Sequence, residues 1–485
     1  MLTSTDILAQ SNSPAATQIK FKFKEIADSK DGFTNFDNVL LNDDGLVAFS
    51  TSNDASQITG IFTSSGGKIR TIADLQNGQF TNLGDFDLND NGLVAFAAGN
   101  ENSSRITGLF TSDGKTTKTV VDLQTLSNSF SDLLSQFPPD RLIATYSFGD
   151  NLALSDAGNV LFDAEANFRV YGVNQPVDRL FLSQTDGTLA QVAEATGLIG
   201  GGTSRTNTFS NLQINDRGQT LAQIDTKIEF GQSASNTTIV FDGKILAVAG
   251  SGPQQPFTER VFSPVLNDAG TAFFARSGTA YGNRTEVDAN NIYRFDSGAT
   301  EPVRVSDQRL DVTSFTVNDR GSILFSGSTA NQSGLFLLDQ GTITQISDRI
   351  AANALINNSG VIVFQPGQLG SESTGIFARV GSVTEQVIAP GESLGGSIVQ
   401  QVQLRGLNDA GQIAFSVDFT DGTEGIYRAD TKIKIRHGKG NALENGADVV
   451  LGASRLLPQD LISIAGRNAL DLATQPQLVS SQSIF

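Results

Sequence analysis

The chain has no cysteine and no tryptophan, one methionine at its start and one histidine, His437, among 485 residues. Without cysteine there is no disulfide framework, no thiolate zinc site and no thiol nucleophile. Any Ser-His-Asp arrangement would depend on His437, which stands beside Arg436 and reads as an exposed side chain rather than a general base. Positive charge is scarce: 33 Lys and Arg stand against 51 Asp and Glu, a net charge of −18. Nucleic-acid grooves and anionic membrane surfaces both call for clustered cations, so this balance argues against both partners. No run of 18 apolar residues is present, so no membrane-spanning helix is expected. Residues 1–17, MLTSTDILAQSNSPAAT, lack the basic and apolar regions of a signal peptide and read as a polar leader.

Glycine, by contrast, is abundant, with 49 residues, and its placement reveals an internal repeat. LNDDGLVAF from Leu41, LNDNGLVAF from Leu88, LSDAGNVLF from Leu154 and INDRGQTLA from Ile214 are copies of one unit. LNDAGTAFF from Leu266, VNDRGSILF from Val317, INNSGVIVF from Ile356 and LNDAGQIAF from Leu407 complete the set. The turn glycines, Gly45 to Gly411, are spaced by 39 to 66 residues. Asn and Asp side chains bond nearby main chain, and Gly reaches positive φ at no steric cost, so each copy predicts a type I turn with a glycine bulge.

The run after each turn, such as Leu46-Val47-Ala48-Phe49, is apolar at successive positions and predicts a strand buried on both faces. A third strand follows, GIF at Gly60 or GLF at Gly108, and then a second glycine turn. A fourth strand such as KIRTIAD from Lys68 alternates polar and apolar residues. Four antiparallel strands per unit, repeated in series, predict an all-β fold: a β-propeller of about eight four-stranded blades, seven being the alternative because the fourth unit is degraded. A parallel β-helix would need shorter, more uniform coils and no tight hairpins.

The motif resembles that of a bacterial tandem-repeat family named for Asn-x-x-Gly-x-x-Ala-Phe, whose members use varied surface anchors. Asn42-Gly45-Ala48-Phe49, Asn89-Gly92-Ala95-Phe96 and Asn408-Gly411-Ala414-Phe415 match it in full. The resemblance implies a β-propeller that is usually exported, and no agreed activity. An extracellular or cell-surface location is therefore the expectation, although neither a signal nor a C-terminal membrane anchor is visible.

Three segments are expected: the leader, propeller repeats over 18–436, and a C-terminal extension over 437–485. QIKFKFKEIAD from Gln18 resembles an outer strand that would close the ring. The last unit, however, is expected to carry TKIKIR from Thr431 as its own outer strand. One strand is then surplus: either the first strand caps the ring or TKIKIR leads out of it.

Both short turns of each blade must share one face, so the long variable connections share the other, where ligand sites belong. Those connections are 122–150, 163–179, 195–210, 249–263 and 276–290. Several hold Arg and Tyr: Arg169, Tyr171, Arg179, Arg205, Arg276, Tyr281 and Arg284. Arg forks carboxylates and Tyr stacks on sugar rings, so these are the candidate ligand-binding residues. The alternative is that they are solvated and paired with local acids such as Glu165, Asp178 and Glu286.

No cofactor motif appears, and Gly200-Gly201-Gly202 lacks the Lys-Ser/Thr of a phosphate loop. Asp87 to Gly92 imitates the start of a calcium loop, but its twelfth position is Ala98, and turn chemistry already explains it, so no metal is expected. The expectation is a non-catalytic scaffold or binding propeller that recognises a polysaccharide, another polymer or a surface protein. A carbohydrate-active hydrolase or lyase in the central channel is the alternative, since two carboxylates suffice for that chemistry.

Overall fold

The computed structural model describes residues 16–100, 105–134, 142–170, 173–196, 204–229, 234–251, 257–280, 290–367, 374–436 and 448–450. Eight antiparallel sheets form a β-propeller. Blades 1 and 2 run over Phe36–Asp74 and Asn82–Asp122, blades 3 and 4 over Leu142–Thr196 and Ser204–Ser251. Blades 5 to 7 run over Phe257–Arg304, Asp311–Ser347 and Ala351–Ile388, and blade 8 begins at Ser397. Blade 4 keeps all four strands despite its degraded motif, which decides between seven and eight.

Each Asn-Asp-x-Gly turn joins the inner strand of a blade to the second. In blade 1 the Gly45 amide donates to the Asn42 carbonyl at 3.0 Å, and the Asn42 amide donates to the Leu46 carbonyl at 3.0 Å. The turn glycines lie at φ between +72° and +87°, where a Cβ would be strained. This is the predicted turn with a glycine bulge.

The phenylalanine that ends the motif has a partner in the third strand. Phe49 stacks on Phe62 with centroids 5.6 Å apart, Phe96 on Phe110 at 5.7 Å and Phe162 on Phe181 at 5.7 Å. Blades 5 to 8 repeat this with Phe274–Tyr293, Phe325–Phe336, Phe364–Phe377 and Phe415–Tyr427. Cross-strand register puts each pair side by side on one blade face, where it packs toward the neighbouring blade. Blade 4 has Ala222 in place of the phenylalanine, so its stack is missing; Ala222 pairs with Val240 instead.

The ring closes differently from the expectation. The third strand of blade 8 is Glu424–Arg436, so TKIKIR is its continuation and not a separate outer strand. The outer position belongs to the N-terminal strand Ala16–Asp28, paired from Ala16↔Arg436 to Asp28↔Gly425. No strand is surplus. The alternation in QIKFKFKEIAD causes this placement. Phe21 and Phe23 pack on the core between blades 7 and 8, and Phe23 meets Phe415 edge-on at 6.1 Å. Lys20 and Lys22 are exposed on the other face of this edge strand, where lysine discourages pairing with a further chain. A short strand, Asp448–Val450, pairs with Lys432–Lys434; His437 and the rest of the C-terminal extension lie outside the described residues.

Candidate functional site

The two faces of the ring are built from opposite uses of polar side chains. On the short-turn face, the motif asparagine does two things at once. Its Oδ1 accepts from the amide four residues on, Asn42 from Leu46 at 2.8 Å, and its Nδ2 donates to the main-chain carbonyl of the next blade's turn. Asn42 reaches Asn89 at 3.0 Å, Asn89 reaches Ser155 at 3.1 Å, and Asn215, Asn267, Asn318 and Asn357 continue the series. Asn408 completes it on Asn42 at 2.9 Å. Ser155 carries no amide, so the step from blade 3 to blade 4 lacks this bond.

The aspartate that follows forms a second ring. Asp90 Oδ1 accepts from the Asp43 amide at 2.7 Å, Asp319 from Asp268 at 2.7 Å, and Asp43 from Asp409 at 2.9 Å. Asn358 takes the aspartate's place in blade 7, and its Nδ2 donates to Asp319 and, at 2.8 Å, to Asp409. These carboxyls border a cavity of about 280 Å3 at the channel mouth. Loss of hydration, with repulsion from Asp409, Asp90 and Asp156, pushes Asp43 up to about 6. Asp268 rises to about 6 for the same reasons, with Asp319 and Asp216 as its neighbours. Asp87 is likewise occupied by structure: it accepts from the amides of Leu88 and Leu154, each at 2.8 Å. Among the described residues no group of three or more Asp, Glu or His is placed to hold a metal ion.

Several connections expected as long loops are strands. Residues 163–179 form most of Val160–Val170 and Val173–Ser183, paired in register. The blade 3 to 5 sheets are thus lengthened toward the long-connection face. Arg169 lies exposed on the first of these strands, opposite Asn174. Arg276 lies half-buried in blade 5, opposite Asn291. Arg205 falls in the inner strand of blade 4, opposite Ile228. Tyr171, Tyr281 and Arg284 lie outside the described residues. The described candidates are thus spread over blades 3, 4 and 5.

Arg179 has a structural task. It is 3% exposed, forks Asp132 at 2.9 and 2.7 Å, and bonds Glu194 at 2.8 Å and the Ser129 carbonyl at 2.7 Å. Its guanidinium also lies 4.9 Å from the Phe130 ring centre. These bonds pin the helices Leu123–Ser129 and Ser131–Leu134 onto blade 3. The acids it pairs with are therefore not Glu165 or Asp178. Asp178 instead faces Glu165 across the second and third strands and contacts Asn207 of blade 4 at 3.4 Å. Burial and the Glu165 charge push Asp178 up to about 7.

The long-connection face does carry a cavity, at the seam where blade 8 meets blade 1. It measures about 210 Å3 and is lined by Phe36, Gln401, Gln403, Arg405, Ser416 and Asp418, among others. Arg405 is the extra residue at a register shift in the inner strand of blade 8, a geometry that re-aims a side chain. Its Nε donates to Ser416 Oγ at 3.1 Å. Its terminal nitrogens have no protein hydrogen-bond partner among the described residues, and neither do the side chains of Gln401, Gln403 and Asp418. Burial lowers the Arg405 pKa, against the opposing charges of Asp37 and Asp418. The sequence does signal this place. VQQVQLRG from Val399 to Gly406 departs from the corresponding strands of the other units in its three glutamines, which the turn motif does not mark.

No curated protein matches the chain. Among solved structures, the β-propeller domain of the Trilobed protease from Pyrococcus furiosus is 12% identical, over 73% of this chain and 96% of that one, with a TM-score of 0.35. The WD40 domain of SCAP from fission yeast is 10% identical, over 86% and 98%, with a TM-score of 0.31. The polysaccharide lyase Uly1 is 10% identical, over 90% and 94%, with a TM-score of 0.34. Likeness at this level carries no argument about activity or ligand. One family matches at residues 71–241 and 135–379, more than half of the chain. The chain belongs to that family, described as a family of unknown function (DUF7453).

Proposed function

We propose that this protein is a non-catalytic binding propeller that recognises a polymer or a protein through its long-connection face, outside the cell or at its surface. The observation that carries this reading is the contrast between the faces. On the short-turn face the motif Asn and Asp groups bond from blade to blade around the ring. At the seam of blades 8 and 1, on the opposite face, several polar side chains have no protein hydrogen-bond partner among the described residues. Unpaired hydrogen-bonding groups in a concave site are what a ligand satisfies. The Asn-x-x-Gly-x-x-Ala-Phe motif supports placing the chain with exported surface proteins, which fractionation of cells producing the full-length protein tests.

The channel-enzyme alternative has less support. The carboxylate pair Glu165–Asp178 lies across the second and third strands of blade 3, beside Asn207 of blade 4, rather than on an inner strand. The experiment is a glycan array with the full chain, with hydrogen exchange on any complex formed and a reducing-sugar assay on the same glycan. The expected result is slowed exchange on the long-connection face with no release of reducing ends. Protection confined to the short-turn face, or turnover of the bound glycan, would overturn the reading.

A further inference from the structure

We infer that the cavity between blades 8 and 1 is a subsite for a neutral, hydroxyl-rich ligand, one sugar ring of a glycan. The inference rests on the binding function proposed above and names the ligand class of its site. At about 210 Å3 the cavity lies below the roughly 300–1,000 Å3 of pockets for drug-sized ligands, so it suits one small ring or one residue of a longer chain.

The chemistry of the wall selects among ligands. Arg405 presents terminal N–H donors, Asp418 presents acceptors, and Gln401 and Gln403 present both. A sugar hydroxyl donates and accepts at once, so neighbouring hydroxyls can bridge Arg405 to Asp418 or to a glutamine amide. Phe36 adds a half-buried aromatic wall for the C–H face of the ring. An apolar ligand would leave these polar groups unpaired and desolvated, which is costly. An anion would meet one arginine but also Asp418 and Glu424 of the wall and the charge of Asp37. A cation would be drawn by those carboxylates but opposed by Arg405, whose terminal N–H donors it would leave unmatched. The neutral polyol is the class that leaves no wall group opposed.

The seam position adds a second consequence. The cavity draws Phe36 from blade 1 and the remaining wall from blade 8, so a bound ring would tie together the first and last blades. The Glu424 carboxylate already spans this seam by accepting the Asn35 amide at 2.6 Å. Ligand binding should therefore raise the unfolding temperature.

The test uses the full chain on an array of neutral and uronate-bearing oligosaccharides, followed by calorimetric titration of the strongest neutral hit. Arg405→Ala and Asp418→Asn should each weaken that hit at least tenfold. Arg405→Lys, which keeps the charge but loses the planar fork, should weaken it as well. Asn91→Ala, on the short-turn face, should bind as the unaltered chain does. Thermal melting of each variant without ligand separates lost binding from lost folding, and Asp418→Asn and Arg405→Lys serve if Arg405→Ala does not fold. No neutral hit, a preference for uronates, or unchanged affinity in folded Arg405 and Asp418 variants overturns the subsite. If a glycan still protects the long-connection face while those variants bind normally, the subsite falls and the proposed function stands. Protection of the short-turn face would bring down both.

Discussion

Asn408 Nδ2 donates to the main-chain carbonyl of Asn42 across 2.9 Å, joining residues 366 positions apart in the chain. The same amide also reaches Gln412 Oε1 at 2.8 Å, and Asn408 Oδ1 accepts the Gln412 amide at 2.9 Å. One buried side chain therefore holds its own turn and closes the ring of blades.

Removing it should be costly. Asn408→Ala leaves the Gln412 amide without this partner and the Asn42 carbonyl with the Gly45 amide as its remaining donor, and one unpaired buried group costs about 1–3 kcal/mol. A urea midpoint shifted down by an equivalent amount is the expected outcome; a shift no larger than that of an exposed-loop control would refute the role. The converse substitution should help. Ser155→Asn supplies the amide missing between blades 3 and 4, aimed at the Asn215 carbonyl, and should raise stability by about 0.5–1.5 kcal/mol.

Asn358 separates two carboxylates of the aspartate ring. Asn358→Asp removes the amide that donates to Asp319 and Asp409 and adds a further acid between them. The variant should unfold earlier than the unaltered chain at low ionic strength, and the gap should narrow in high salt, which screens charge. Equal gaps at both salt concentrations, measured by thermal melting, would show that charge repulsion is not the cause.

Stability should fall as pH rises from about 4 to 7. Asp43 and Asp268 stand at about 6 and Asp178 at about 7, all above the ordinary value of 3.8. Folded protein thus holds more protons than unfolded protein between about 4 and 7, and unfolding becomes easier as those protons leave. Asp421 works in the other sense. Its bonds to Thr423 and Ser397 lower it to about 2, so its contribution is present above 3.8 and lost as pH falls toward 2. Urea midpoints across pH 3–8 should peak near 4 and decline toward 7, and a midpoint that climbs steadily to pH 8 would contradict the ring's energetics.

Arg179→Ala should release the helical insertion and leave the ring closed. The arginine bonds Asp132 and the Ser129 carbonyl of the insertion and Glu194 of blade 3; Asp132 is 61% exposed and Glu194 28%, so water reaches both carboxylates once it is gone. Hydrogen exchange over 123–134 should speed up at least tenfold while blades 6 to 8 stay protected. Uniform acceleration across all blades would instead give Arg179 a global role.

Much of the fold was legible because its instructions are local. A turn needs its Asn, Asp and Gly within four residues, and a strand buried on both faces shows its character in consecutive apolar side chains. Eight such units, even one as degraded as INDRGQTLA, can be counted without knowing what they touch. The exchange of outer strands was less legible. TKIKIR alternates as an outer strand does, yet it prolongs the third strand because the N-terminal strand supplies a better partner, with Phe21 and Phe23 facing the core. Arg–Tyr content marked extended strands of blades 3 to 5 in place of loops, since alternating sequence there reads equally as a polar connection.

The amino-acid order by itself determined the repeat, the hairpin at each turn and the glycine that each turn requires, because those depend on neighbours in the chain. Tertiary structure decided what the spare valences do. Asn42 reaches the carbonyl of Asn89, Arg179 reaches Asp132, and Arg405 is left facing a cavity between the last blade and the first. Those outcomes depend on groups tens to hundreds of residues away, which only the packing of blade on blade and, for Arg405, closure of the ring bring together.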